Sequence, residues 1–287
     1  MKRYISVIFL LVLLVSRVGA TGLQLMYTTQ ANGQDDLYVI GIDTEQVRRA
    51  TNHRAKDSHG VPSPDGRRIV FNSERVGWWK IWVADADGTH TSQLTAPTSG
   101  ADYYPDWSPD GKKIVYATNT IGNGDIVVMN ADGSSARNIS SHPAQDNFPA
   151  WSPNGRWIAY ASDRDGSWAI HVTDPAGGNT RRITGTGNAI EPSWYPDSRQ
   201  IIYQSDNGGS VDLYSVMLDG TQAPKRLTAS KGDEKRPAVS PDGKWIAFES
   251  NREGGSHIFI KSTDGTEVRR LTHQGYNYGP RWMPLLD

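Results

Sequence analysis

A tetrapeptide of the form Ser-Pro-Asp-Gly recurs along the chain and constrains its fold more than any other feature. Copies begin at residues 63, 108, 152, 195 and 240, with Asn in place of Asp in the third and Tyr-Pro-Asp-Ser as the fourth. A remnant, Met283-Pro284, follows, so the intervals all lie between 43 and 45 residues. This is the period of a four-stranded propeller blade. The spacing therefore predicts a β-propeller.

Each repeat carries the signals of four short strands separated by tight turns. In the tetrapeptide, Pro presets φ for a turn and Gly accepts the positive φ needed to enter the next strand. An alternating strand follows, as in residues 69–71 and 114–116, and a second turn such as Asp87-Gly88 separates the third and fourth strands.

The two ends of the chain complete each other. Residues 23–52 hold the signals of strands two to four only, and residues 279–283 those of a first strand. Joined in one blade, they predict an all-β, six-bladed β-propeller of four-stranded antiparallel blades over residues 21–287. The C-terminal strand would join the N-terminal blade and close the ring, which removes exposed edge strands.

Residues 1–20 have the pattern of a secretory signal peptide rather than of the fold. Lys2 and Arg3 precede an apolar run over residues 5–15, and Val18-Gly19-Ala20 supplies small residues for cleavage. The alternative, an uncleaved anchor, is disfavoured because the run is shorter than the ~20 residues that span a bilayer. We therefore expect a mature start at Thr21, a periplasmic or secreted protein, and no membrane-spanning segment.

The charge balance argues against nucleic acid as a partner. Removal of residues 1–20 leaves 27 basic and 31 acidic residues, and a weakly acidic protein does not attract phosphate backbones. The chain has no Cys, so core burial alone must stabilise an exported domain, which we expect to be a monomer.

The repeat resembles that of the TolB-type, WD40-like (PD40 repeat) β-propeller family, whose hallmark is Pro-x-Trp-Ser-Pro-Asp-Gly. Trp107, Trp151, Trp194 and Trp282 occupy the family's Trp position, and the resemblance covers the whole predicted mature chain. It implies a periplasmic propeller that contacts a partner. The α/β domain that precedes some propellers of this type is not expected here. No Gly-x-Ser-x-Gly elbow of a hydrolase is found in the sequence, so no enzymatic activity is expected.

The residues three positions before the Pro of Pro-x-Trp form a predicted ring at one mouth of the channel. Four of the six are acidic, namely Asp57, Asp102, Asp146 and Glu234. The other two are Ala189 and Asn277. An Arg follows strand two in three of the same blades, which predicts the structural ion pairs Asp57–Arg75, Asp146–Arg164 and Glu234–Arg252. Asp102 has no such Arg and is predicted to meet a cation, a basic side chain or a ligand hydroxyl. Calcium at this acidic mouth is an alternative, although no dedicated metal motif or other cofactor signal is present.

Aromatic residues gather in the loops that precede strand one. With Asp102, the candidates for partner binding are Tyr103, Tyr104, Phe148, Tyr276 and Tyr278. These loops lie on the face opposite the Ser-Pro-Asp-Gly turns, and the turn face is interpreted as purely structural. We therefore predict a non-enzymatic scaffold that binds an envelope or extracellular protein or peptide. The alternative is a carbohydrate-binding or lyase-like propeller that uses the channel mouth.

Overall fold

The computed structural model describes residues 22–31, 33–120, 122–185, 187–206 and 209–285. The predicted signal peptide and Thr21 lie outside these residues. The described chain forms 24 strands in six four-stranded sheets, and no helix occurs among them. The predicted all-β, six-bladed propeller is confirmed.

Five blades are continuous in sequence, each with strand one innermost. Blade 1 contains β4 (Asp57–Pro62), β5 (Arg68–Ser73), β6 (Lys80–Asp85) and β7 (Ser92–Gln93). Blade 2 contains β8 (Asp102–Trp107), β9 (Lys113–Thr118), β10 (Asp125–Asn130) and β11 (Arg137–Asn138). Blade 3 contains β12 (Asp146–Trp151), β13 (Ile158–Ser162), β14 (Ala169–Thr173) and β15 (Arg181–Arg182). Blade 4 contains β16 (Ala189–Trp194), β17 (Gln200–Ser205), β18 (Asp212–Met217) and β19 (Lys225–Arg226). Blade 5 contains β20 (Glu234–Val239), β21 (Trp245–Ser250), β22 (His257–Ser262) and β23 (Val268–Arg270).

The sixth sheet, here called the closing blade, joins the two ends of the described chain. Its strands are β24 (Tyr276–Trp282), β1 (Gln24–Ala31), β2 (Gln34–Gly41) and β3 (Val47–Arg49), in that order. β24 and β1 pair antiparallel, with Leu25 opposite Trp282 and Thr28 opposite Tyr278. The predicted closure by the C-terminal strand is therefore present.

The core lies between neighbouring blades rather than inside any one of them. Leu25 and Ile40 of the closing blade, for example, pack in one cluster with Ala247, Ile258 and Ile260 of blade 5. The second and third strands are almost continuously buried, because both of their faces are covered by adjacent sheets.

The Ser-Pro-Asp-Gly turns are closed by their own side chains. In blade 1, Asp65 accepts hydrogen bonds from the Ser63 hydroxyl at 2.6 Å and from the Arg67 amide at 3.1 Å. Gly66 has φ of 66°, the left-handed conformation that the turn requires. The Ser63 bond lowers the pKa of the Asp65 carboxyl, so the turn keeps its charged acceptor at neutral pH. These turns form one face of the disc, here called the turn face.

Three of the four repeat Trp residues connect their blade to the one before it. The indole Nε1 of Trp107 donates to the Val61 carbonyl at 3.1 Å, that of Trp194 to Ala150 at 3.0 Å, and that of Trp282 to Ala238 at 2.9 Å. At these three positions the Trp side chain therefore forms a hydrogen bond between blades in addition to its apolar packing.

Candidate interaction site at the channel mouth

Every innermost strand bends at the residue just before the repeat Pro. Six residues there share a φ between 51° and 62°, and the register of each innermost strand shifts by one residue at this point. These bulges turn one residue per blade toward the central axis, with a side chain in five of the six blades. We call the set the mouth ring: His59, Tyr104, Phe148, Glu191, Arg236 and Gly279. They line a small space of about 20 Å³ in the channel.

One half of the mouth ring is aromatic. Tyr104 lies 4.5 Å from Phe148 and 4.7 Å from His59 between ring centroids. Tyr278 lies 5.4 Å from His59 and 6.0 Å from Tyr276, whose side chain is exposed. Tyr103 packs 5.9 Å from Tyr104. The structure thus brings all five candidate aromatic residues together, joined by His59, as the aromatic cluster.

The other half of the mouth ring contains the charged residues Glu191 and Arg236, with Gly279 beside them. Arg236 lies 3.3 Å from the Glu191 carboxylate and forms a second ion pair with the buried Glu249. Its guanidinium also stacks 5.4 Å above the ring of Tyr278, so it joins the charged half to the aromatic cluster. Burial lowers the pKa of Arg236, but Glu191 and Glu249 raise it by more.

Burial perturbs the ionisable groups around the mouth. It raises the pKa of the Glu191 carboxyl against the opposing effect of Arg236, and it raises the pKa of Tyr104 to about 12. It also lowers the pKa of His59 well below its ordinary value, so this imidazole is neutral at neutral pH. Within the described residues, His59 Nε2 and Glu191 Oε2 have no hydrogen-bond partner. Buried polar atoms of this kind are normally satisfied by water or by a ligand.

The predicted pairs of the acidic ring are in contact. Arg75 lies 2.8 Å from Asp57, and Arg164 lies 3.1 Å from Asp146. Arg252 likewise binds Glu234. All three carboxylates are fully buried, so the ring lies beneath the surface of the mouth rather than at its rim.

Of the three groups predicted to meet Asp102, the structure shows a basic side chain, and it comes from this chain. A role of Asp102 in partner binding stays a prediction. Asp102 has no Arg from its own blade, as expected, but Lys80 of blade 1 lies 3.1 Å from it and is completely buried. The Thr118 hydroxyl donates to its other oxygen at 2.5 Å. Every acidic member of the ring therefore has a cationic partner from this chain. Calcium binding here stays a prediction. Among the described residues, no group of three His, Cys, Asp or Glu is placed to hold a metal ion.

Sequence reasoning names Tyr104 and Phe148 but not the other four members of the mouth ring, because it aligns the repeats at a different position. Counting three residues back from the repeat Pro finds the buried acidic ring, whereas one residue back finds the side chains of the channel. The turn face, which the repeats indicate to be structural, has a feature that they do not predict. A cavity of about 550 Å³ opens there, lined by residues from all six blades.

Comparison with known proteins places this architecture in a family. The model of the TolB β-propeller domain (PD40) matches residues 91–191 and 186–286, about two thirds of the chain. The chain belongs to this TolB propeller family. Its recognition from the Pro-x-Trp-Ser-Pro-Asp-Gly repeat is confirmed.

Individual proteins resemble this chain over different shares of their length. The Tol-Pal system protein TolB of Helicobacter hepaticus is 30% identical over 80 residues, which is 28% of this chain and 19% of that protein. TolB from Acinetobacter baumannii superposes with a TM-score of 0.79 and 22% identity, over 93% of this chain and 68% of that chain. An oligogalacturonate lyase from Vibrio parahaemolyticus superposes at 0.61 with 13% identity, over 86% and 73% of the two chains. The chain thus matches about a fifth of the curated relative, and the two solved structures show the fold alone.

No stretch of the described residues forms a helix long and apolar enough to cross a membrane.

Proposed function

We propose that this propeller is a non-enzymatic interaction scaffold of the bacterial cell envelope, and that it binds a protein or peptide at the loop face. The loop face is the face opposite the turn face. The observation that carries the proposal is the aromatic cluster, which reaches from the exposed Tyr276 into the channel mouth at Tyr104 and Phe148. Large, rigid aromatic side chains at a concave surface are typical anchors of protein interfaces.

The asymmetry of the mouth ring favours a peptide that carries both apolar and polar groups. An apolar side chain would pack against Tyr104, Phe148 and Tyr278, while the unpaired oxygen of Glu191 and the unpaired Nε2 of His59 offer polar contacts. Desolvation at the mouth strengthens such polar contacts and makes an unsuitable partner costly.

The family supports a place in the cell envelope. The relatives that match include Tol-Pal system proteins by name, and the N-terminal pattern of residues 1–20 predicts export. We propose a periplasmic location and an envelope protein as partner. The partial coverage of those relatives leaves the identity of that partner to experiment.

The decisive experiment compares the propeller with variants of its aromatic cluster as baits for envelope proteins. We expect a discrete partner to be retained by the unaltered protein and lost with Tyr103→Ala combined with Tyr276→Ala. Val268→Ala is the matched control, because Val268 is similarly exposed but lies on β23 at the outer edge of blade 5. Equal retention by the two variants would refute the loop face as the binding surface.

A carbohydrate is the second candidate ligand. Aromatic rings beside a carboxylate, as in Tyr104 and Glu191, also suit the apolar face and hydroxyls of a sugar. A glycan array screened with the same two variants separates the candidates. Glycan binding that depends on Tyr103 and Tyr276, with no protein retained, would replace the first proposal by the second.

A further inference from the structure

The cavity on the turn face adjoins the small space at the channel mouth, and Pro149, Pro192 and Arg281 line both. The volume of the turn-face cavity, about 550 Å³, lies in the range of pockets for small molecules. Its walls repeat around the axis, since every blade contributes the Pro of its turn or of its innermost strand. Four blades also contribute the repeat Trp: Trp107, Trp151, Trp194 and Trp282. The walls are therefore largely apolar and rigid.

Among the residues that the structure describes, two charged side chains line this cavity, and their hydrogen-bond partners differ. Both oxygens of Asp106 are already engaged: one accepts from the Trp107 amide at 3.0 Å, the other from the Trp151 amide at 2.6 Å. Asp106 thereby connects blades 2 and 3. Burial raises its pKa to about 6.

The second charged residue, Arg281, has no comparable partner. Its guanidinium makes a single hydrogen bond, from Nη1 to the carbonyl of Pro280 at 3.0 Å. Among the described residues Arg281 forms no ion pair. Arg236 of the mouth ring, in contrast, forms ion pairs with two carboxylates. Burial lowers the pKa of Arg281, and the more distant carboxylates of Asp106 and Glu191 oppose that shift only in part. The protein therefore bears a cost for placing this cation between Pro and Trp side chains.

A guanidinium without a direct ion pair inside a largely apolar cavity suits one kind of ligand. Its planar fork binds a carboxylate through two parallel hydrogen bonds, and apolar walls favour an apolar body attached to that carboxylate. We propose that the turn-face cavity is a binding site for a small organic carboxylate with an apolar body, with Arg281 as the residue that binds the carboxylate. Two sources share this chemistry, a free organic acid and the C-terminal residue of a peptide.

The test uses matched acid and amide probes. We expect calorimetry and saturation-transfer NMR to show that 3-phenylpropionate binds at least tenfold more tightly than 3-phenylpropanamide, which has the same shape without the charge. N-acetylphenylalanine and its C-terminal amide form the second arm, which represents a peptide terminus. The tighter binder of the two acids identifies the source. Equal affinity for acid and amide in both arms, or no binding by any probe at millimolar concentration, would overturn the proposal.

Variants locate the site on the turn face. Arg281→Met should abolish the preference for the acid, and Tyr104→Ala, in the aromatic cluster, should leave it unchanged. Ser193→Leu narrows the cavity and retains the guanidinium, so it tests the same site if Arg281→Met fails to fold. Loss of acid binding in Tyr104→Ala with retention in Ser193→Leu would place the site at the channel mouth and contradict the proposal. Because Tyr103 and Tyr276 are not involved, failure here is distinguishable from failure of the proposed function.

Discussion

At the scale of single residues, the repeat side chains act as connectors between sheets. The four repeat Trp side chains are all buried, but they are not equivalent. Trp107, Trp194 and Trp282 each donate Nε1 to a carbonyl of the preceding blade, whereas Trp151 Nε1 has no partner among the described residues. At Trp151 the main-chain amide is bound by Asp106 instead. We therefore expect the same residue type, Trp, to contribute differently to stability in different repeats.

This difference predicts unequal effects of the same substitution. Trp194→Phe removes a buried hydrogen bond and leaves the Ala150 carbonyl without its donor, whereas Trp151→Phe removes a donor that has no partner. We expect Trp194→Phe to reduce the free energy of unfolding by about 1 to 2 kcal/mol more than Trp151→Phe. Urea denaturation of the two variants measures this directly. Equal losses would show that packing alone sets the value of this position.

The buried pair of Lys80 and Asp102 predicts a second effect at this scale. Lys80→Met leaves the Asp102 carboxylate buried without its cation, and we expect a loss of about 3 to 5 kcal/mol in the free energy of unfolding. Adding Asp102→Asn removes the unpaired charge and should recover most of that loss. Lys113→Met, at an exposed lysine of β9, is the control and should change stability by less than about 0.5 kcal/mol.

A double variant as unstable as Lys80→Met alone would contradict this account. The mechanism would then be lost packing rather than an uncompensated charge.

The sequence predicts contacts within a blade better than contacts between blades. Asp57 and Arg75 recur together in one repeat, so their pairing is visible in an alignment of the repeats. Lys80 and Asp102 lie in different repeats, and no periodicity connects them. The turn-face cavity is not predictable from the repeats for a related reason. It forms where six blades converge, and no single repeat contains it.

At the scale of secondary-structure elements, β24 is the strand that closes the ring. It pairs with β1 across the longest separation in the chain and supplies the innermost strand of the closing blade. The amide of Met283 donates to the Gln24 carbonyl at 2.9 Å, so the contact extends past the end of the strand. Every other blade obtains its innermost strand from its own repeat.

Removal of this strand should open the ring. Deleting residues 276–287 exposes the backbone edge of β1 and uncovers the cluster that contains Leu25 and Ile40. We expect a loss of several kcal/mol and aggregation through the unpaired edge, as measured by thermal unfolding and light scattering. Deleting only residues 285–287 is the control and should preserve the melting temperature. Unchanged stability in the longer deletion would mean that the ring does not depend on strand closure.

At the scale of the whole molecule, the position of the chain ends within the ring is the feature that matters for stability. In this chain the break lies between strand one and strand two of the closing blade, so that the two ends of the described chain are held in one sheet. The repeat spacing, the blade number and this closure were all predictable, because they depend on a period and on complementary ends. The two cavities were not, because they depend on which side chains meet on the axis.

Circular permutation tests the value of that arrangement. With residues 285 and 22 joined by a short linker, new ends between Asp110 and Gly111 cut a turn between strands one and two of blade 2, which recreates the native arrangement. New ends between Pro97 and Thr98 fall in the exposed loop between blades 1 and 2, so no sheet contains both ends. We expect the first permutant to retain nearly the parental melting temperature and the second to melt about 5 °C or more below it. The opposite order would show that shared sheets contribute little to ring stability.

The bend that creates the mouth ring has a consequence for how such propellers diversify. The backbone adopts the same left-handed conformation whether the residue is His, Tyr, Phe, Glu, Arg or Gly, so the frame does not depend on the side chain that it presents. Each non-Gly occupant bears a strain of about 1 kcal/mol, which is small beside the packing between blades. A lineage can therefore exchange one occupant at a time and acquire new ligand preferences while its backbone stays superimposable on that of its ancestor. Common ancestry would then be visible in the backbone of the propeller. Differences in ligand would be visible in the six positions of the mouth ring.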